Sequence, residues 1–140
     1  MRVQLNRNSR LSYTPQFLTL DNAPWFPLMG EIHYSRVPSG RWEEELYKMK
    51  AGGMDLVSAY TIWIHHEEVE GEWDFSGDRD LRKFLQTIKA CGLHCILRIG
   101  PWAHGEVRNG GFPDWLVEKE KQGELGTRTN DPEYLRYVRE

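Results

Sequence analysis

Long apolar runs are missing from this chain of 140 residues. The uncharged stretch over residues 23–30 contains Pro24 and Pro27 and falls far short of the roughly 20 apolar residues that cross a bilayer. No membrane segment is expected. Residues 1–10 are polar, whereas a secretory signal shows a basic start followed by an apolar run of about 7–15 residues. A large charge of one sign is missing as well: the formal net charge is -3, and no lysine- or arginine-rich block offers a polyanion a footprint. Nucleic acid is not expected as a partner. Cysteine is scarce, and Cys91 and Cys95, at the end of one predicted helix and inside the next strand, read as free buried thiols. No Gly-x-Gly-x-x-Gly follows the first predicted strand, so no dinucleotide is expected. No spaced metal-ligand signature is present either, and no cofactor is expected.

Aromatic residues are abundant, with 6 Trp, 6 Tyr and 5 Phe. Apolar residues at 39% and charged residues at 28% describe a globular chain able to bury about two thirds of its unfolded surface. Residues 1–12 read as a loose polar arm. Residues 13–25 alternate through Phe17, Leu18 and Leu20 and turn at Asp21-Asn22, the pattern of a short hairpin that caps another element.

Strand and helix signals then alternate. A strand is expected over 28–34, followed by a helix opened by Pro38-Ser39-Gly40 and ended by Gly52-Gly53, with Trp42, Leu46 and Met49 on one face. A second strand is expected over 54–63, a loop over 65–77, and a helix over 80–90 with Leu81, Phe84, Leu85 and Ile88 as its stripe. A third strand over 93–99 precedes a loop over 100–111 and a short helix over 113–118. Asn130-Asp131-Pro132 opens a last helix, with Tyr134, Leu135 and Val138 as its apolar face. No C-cap follows before Glu140, so an N-terminal piece of a longer protein is expected. Connections this long between strands imply parallel pairing. The α/β order suits an open doubly wound sheet or a (β/α)8 barrel. The barrel is preferred because polar and aromatic residues gather after each strand's C-terminal end.

Those strand ends carry Glu31, His33, Tyr34 and Arg36; Tyr60, Trp63, His65, His66 and Glu67; and Arg98, Trp102, His104 and Glu106. Flat rings beside carboxylates and hydrogen-bonding groups suit a sugar, whose C–H face stacks while its hydroxyls need directional partners. Glu31 and His33 share a strand face and read first as a hydrogen-bonded layer inside a barrel. The His65–Glu68 cluster reads as a loop element, and Trp63 and Trp73 as packing before sugar platforms. Glu106, a charge held between Gly105 and Asn109-Gly110-Gly111, reads as functional.

The runs Gly30-Glu31-Ile32-His33-Tyr34-Ser35-Arg36, Ala59-Tyr60-Thr61-Ile62-Trp63 and Leu97-Arg98-Ile99-Gly100-Pro101-Trp102-Ala103-His104-Gly105-Glu106, continuing into Gly110-Gly111-Phe112-Pro113-Asp114-Trp115-Leu116, resemble glycoside hydrolase family 35, the retaining β-galactosidases. The resemblance runs from about residue 17 to the end. It implies a (β/α)8 TIM-barrel catalytic domain that removes terminal non-reducing β-galactose by double displacement. About three of its βα units lie here, with residues 1–16 as an arm, 17–140 as an incomplete domain and the remainder of the barrel C-terminal. The family's acid/base and nucleophile follow later strands, so both are expected beyond Glu140, and this stretch alone is expected to be inactive. As substrate-binding residues the resemblance implies Tyr60, His104, Gly105 and Glu106. Many members carry cysteine and alanine or glycine before that glutamate and tryptophan after it, where this chain has His104, Gly105 and Val107; Ile64 stands for a common asparagine. Two rival expectations are a metal-dependent barrel hydrolase using His33, His104 and Glu106, and a non-catalytic carbohydrate-binding remnant.

Overall fold

A computed structural model describes residues 10–140 of the chain; most of the expected arm, residues 1–9, lies outside the described residues. The first elements are three short strands, β1 (Leu11–Tyr13), β2 (Leu18–Leu20) and β3 (Ala23–Trp25), in an antiparallel sheet of order β1-β2-β3. The hairpin expected over 13–25 is β2–β3, and its two turn residues, Asp21 and Asn22, both have positive φ, at 51° and 65°. Those values match the twist of a tight hairpin, and Asp and Asn tolerate them better than most residues. Residues 11–13 are not loose arm: they pair with β2, and an Arg10–Asp21 ion pair fastens that edge to the turn. The small sheet sits at the N-terminal end of the next one, where Trp25 meets His94 edge-on at 5.2 Å.

The second sheet is parallel, of order β4-β5-β6: β4 (Met29–Glu31), β5 (Leu56–Tyr60) and β6 (His94–Arg98). Helix α1 (Trp42–Ala51) connects β4 to β5. A short helix α2 (Trp63–His66) and helix α3 (Leu81–Ala90) lie between β5 and β6. Helix α3 starts where Asp80 caps it by accepting from the Lys83 amide, and α1 stops at Gly52, with Gly53 at φ 87°. The expected stripes are the buried ones. Trp42 and Leu46 from α1 and Phe84 and Ile88 from α3 meet Val57 and Ala59 of β5 in one core with Tyr34, Cys91 and Leu93. The rings of Tyr34, Trp42 and Phe84 interlock at 5.2–6.3 Å. At Gly30 of β4 the side chains of Met49, from α1, and of Met54, just after it, come close to the backbone: a Cβ there would fall 2.7 Å from the Met49 methyl carbon and 2.2 Å from the Met54 sulfur. Cys91 and Cys95 are free thiols, as expected, and burial pushes both up in pKa.

A second core joins Trp63, Phe112, Leu116, Leu125, Tyr134 and Tyr137. It packs α2 against α4 (Asp114–Lys121) and α5 (Pro132–Arg139). Helix α4 runs to Lys121, beyond the expected end at 118. On α5 the cap is Asp131, which accepts from the Glu133 and Tyr134 amides, but the buried face is Tyr134 and Tyr137 and not Val138, which is 36% exposed. The Tyr137 hydroxyl donates to Glu70 Oε1 at 2.5 Å while its ring packs on Trp115 at 5.1 Å, so the amphipathic tyrosine wins the inward position.

No helix among the described residues is long and apolar enough to cross a membrane. Phe84 is fully buried between two aromatic neighbours, so in the complete protein Phe84→Ala should lower unfolding free energy by about 3–5 kcal/mol. Denaturant melts read the loss, and an effect no larger than that of the exposed Arg82→Ala would contradict the packing described.

Candidate functional site

Parallel strands in one sheet end on the same side, and the ends of β4, β5 and β6 bring Glu31, Tyr60 and Arg98 together. Register fixes which way they point. Tyr60 pairs with Arg98, and Glu31 with Ser58, so all three lie on the sheet face opposite Val57 and Ala59, away from the helices. The Arg98 guanidinium stacks over the Tyr60 ring with its carbon 3.6 Å from the centroid, and Arg98 Nη2 donates to Glu31 Oε2. The second Glu31 oxygen is 3.1 Å from His33 Nε2. The Tyr60 amide donates to His33 Nδ1 at 3.3 Å. An amide can only donate, so Nδ1 accepts and the proton of the neutral imidazole sits on Nε2, facing Glu31.

The loop after β6 leaves through a cis Gly100–Pro101 bond and passes back over this group. A Cβ on Gly105 would lie 3.6 Å from both the Tyr60 ring and His33 Nε2, which places Gly105 beside the ring edge with room for no more than a methyl group between. The loop is closed by Ala103 donating to the Gly110 carbonyl at 2.8 Å, with Asn109, Gly110 and Gly111 all at positive φ. Gly110 has to be glycine, because a Cβ would fall 2.3 Å from the Trp102 ring. The Tyr60 hydroxyl has no hydrogen-bond partner among the described residues, although Tyr60 is only 6% exposed.

Of the four residues expected at a sugar site, the structure brings Tyr60 and Gly105 together. His104 is exposed, with its ring 6.2 Å from that of Trp102. The Glu106 side chain is 98% exposed and points to the rim, where Arg36 donates to the Glu106 carbonyl at 2.9 Å and lies 3.8 Å from its carboxylate. Glu106 borders a hollow of about 390 Å3 together with Arg36, Ile64 and His65. Among the described residues no three His, Cys, Asp or Glu side chains converge as a metal site, so His33, His104 and Glu106 do not meet.

Trp63, His65 and His66 were expected to project from the end of a strand reaching residue 63. The strand stops at Tyr60 instead. The Trp63 indole N–H finds its acceptor in Glu67 Oε2 at 2.5 Å, four residues on, and that reach needs a helical turn. Trp63 and His66 therefore face inward, and Glu67, 2% exposed, organises the loop by also accepting from the Gly71 amide. Trp73 is neither core nor part of this group; it stacks on Phe75 at 6.1 Å with both rings about half-exposed. Arg36 and Arg98 were legible as polar residues at strand ends, but nothing local in the sequence marks their partners.

A family model described as Glycosyl hydrolases family 35 matches residues 17–140. Among curated relatives, the β-galactosidase of Mus musculus is 40% identical over 129 residues, covering 92% of this chain and 20% of its own. That of Homo sapiens is 38% identical over 138 residues, covering 99% and 20%; that of Xanthomonas manihotis is 39% identical over 115 residues, covering 82% and 19%. The chain thus spans about a fifth of the length of the curated relatives it matches. A crystal structure of β-galactosidase from the psychrophilic Marinomonas ef1 superposes with a TM-score of 0.55 over 69% of this chain and 13% of that one, at 22% identity, a likeness of fold.

Burial holds the imidazoles of His33, His65 and His66 below the usual histidine range. For His66, 1% exposed, the partners fix the neutral form: Nδ1 donates to the Asp74 carbonyl at 2.9 Å, leaving Nε2 to accept from the Tyr34 hydroxyl at 2.5 Å. Burial in turn pushes the Tyr34 phenol up to about 12. An unfolded chain protonates its histidines near pH 6.5. Below that pH it binds protons that the folded state refuses, so stability falls as pH drops from about 6.5 towards the depressed folded values. The thermal midpoint of the complete protein should be lower at pH 5 than at pH 7, and His66→Gln should flatten part of that slope. An identical slope in wild type and variant would count against it.

Proposed function

The chain belongs to glycosyl hydrolases family 35, and from that premise we propose that it supplies the first three βα units of a (β/α)8 catalytic domain, with residues 17–140 inside it, in a retaining β-galactosidase. What carries the reading is the family match over residues 17–140 combined with the gathering of Glu31, Tyr60 and Arg98 at one end of three parallel strands, the end at which barrel enzymes build their sites. The substrate is a terminal non-reducing β-galactoside. Tyr60 faces the sugar with a hydroxyl that has no partner among the described residues, Gly105 and His104 line the pocket, and Glu106 accepts from sugar hydroxyls. The exposed Glu106 side chain is free to turn inward, because Arg36 holds the loop chiefly by its carbonyl.

Retention needs two carboxyl groups about 5–5.5 Å apart, one attacking the anomeric carbon and one protonating the leaving oxygen. Glu31 is unsuited to either role, since both of its oxygens are engaged, one by Arg98 and one by His33. The catalytic pair belongs to later strands, beyond Glu140. With nitrophenyl β-D-galactoside and the complete protein, proton NMR should show the β-anomer of galactose formed first. Glu106→Gln weakens a charged hydrogen bond of about 1.5–3 kcal/mol, so kcat/KM should drop roughly tenfold to a hundredfold with little change in thermal midpoint. Near-normal kinetics for that variant would sink the assignment.

A further inference from the structure

We propose that Glu31 and Arg98 are positioning residues that hold Tyr60 for the terminal sugar. The inference rests on the reading of Tyr60 as a sugar-facing residue and adds to it two residues from neighbouring strands. The contacts close on themselves. The Tyr60 amide donates to His33 Nδ1, His33 Nε2 donates to Glu31 Oε1, Glu31 Oε2 accepts from Arg98, and the Arg98 guanidinium returns to cover the Tyr60 ring. Tyr60 is thus gripped at both ends, by its backbone through His33 and by its ring through Arg98, and one carboxylate joins the two grips.

Each link has a direction that the next one needs. Glu31 faces two donors at once, which fixes the His33 tautomer and, through it, the acceptor for the Tyr60 amide. Arg98 Nε is buried with no acceptor among the described residues, so the guanidinium is placed by Glu31 and the ring face alone. Its flat stacking blocks one face of Tyr60, and Gly105 lies beside the ring edge. Tyr60 is only 6% exposed, so a ligand meets just the part of the side chain that these contacts leave open, in one orientation. Glu31 is 46% and Arg98 34% exposed at the side chain; an ion pair so accessible to solvent contributes little to stability, and its effect falls on orientation.

The complete protein tests this with free galactose as a competitive inhibitor and nitrophenyl β-D-galactoside as substrate. Glu31→Gln and Arg98→Lys should each raise the galactose inhibition constant and KM about tenfold, lower kcat less, and leave the thermal midpoint nearly unchanged. The double variant should be no worse than the poorer single one, since the two residues act as a unit. If Glu31→Gln fails to fold, Arg98→Lys, which keeps the charge and removes the flat face, tests the same link. Inhibition constants within twofold of wild type, while Glu106→Gln is impaired, would overturn the positioning role and leave the reading of the site standing. Losses that multiply in the double variant, or that track a falling thermal midpoint, would also overturn it. Normal kinetics for Glu106→Gln and Tyr60→Phe would instead remove the sugar site itself.

Discussion

A parallel strand in the middle of a sheet has to pair its backbone on both edges and cover its side chains on both faces, and β5 meets both demands within five residues. Leu56 to Tyr60 are all buried. One face, Val57 and Ala59, draws α1 and α3 onto the sheet and so fixes the aromatic core of Tyr34, Trp42 and Phe84. The other face carries Tyr60, which can be buried as a polar-tipped ring only because His33, Arg98 and Gly105 surround it. Core and site are two sides of one strand. A shift of its register by one residue would exchange them.

Much of this was legible because it is local. Asp21-Asn22 between alternating apolar residues marks a hairpin, and the i, i+4 spacing of Trp42 and Leu46 marks a buried helix face. The glycines at 52 and 53 mark its end. What was not legible is what distance in sequence conceals. Glu31 and Arg98 are 67 residues apart, and no pattern in either neighbourhood names the other. The short helix α2 hides in a run of β-prone residues, Thr61-Ile62-Trp63, because its cause is the hydrogen bond that the Trp63 indole makes four residues ahead. At the site, the resemblance pointed to Tyr60, His104, Gly105 and Glu106, of which the structure brings Tyr60 and Gly105 together. The resemblance could not give the grip of Arg36 on the Glu106 carbonyl, which spans 70 residues.

The aromatic excess has a plain account. Many of the rings form two edge-to-face clusters, one around Trp42 and Phe84 and one around Trp63, Phe112 and Trp115. Such arrangements favour the positive edge of one ring on the negative face of the next. They let a chain with short strands build cores from few, large side chains. Trp102 supports the loop, with Arg128 on one of its faces at 4.4 Å and Gly110 against its ring. Tyr60 alone of these rings stands at the three strand ends with its polar tip unclaimed among the described residues.

Arg36 grips the carbonyl of Glu106 more closely than its carboxylate, and this divides the entropy of recognition into two instalments. The backbone of the loop over 100–111 is held within the folded chain by Arg36 and by the turn through Gly110. Whatever then meets the Glu106 carboxylate has only side-chain torsions left to freeze, at most about 2 kcal/mol for a glutamate. Long loops ordinarily leave their ordering to the ligand; this one presents an exposed acceptor on a backbone already held by its own contacts.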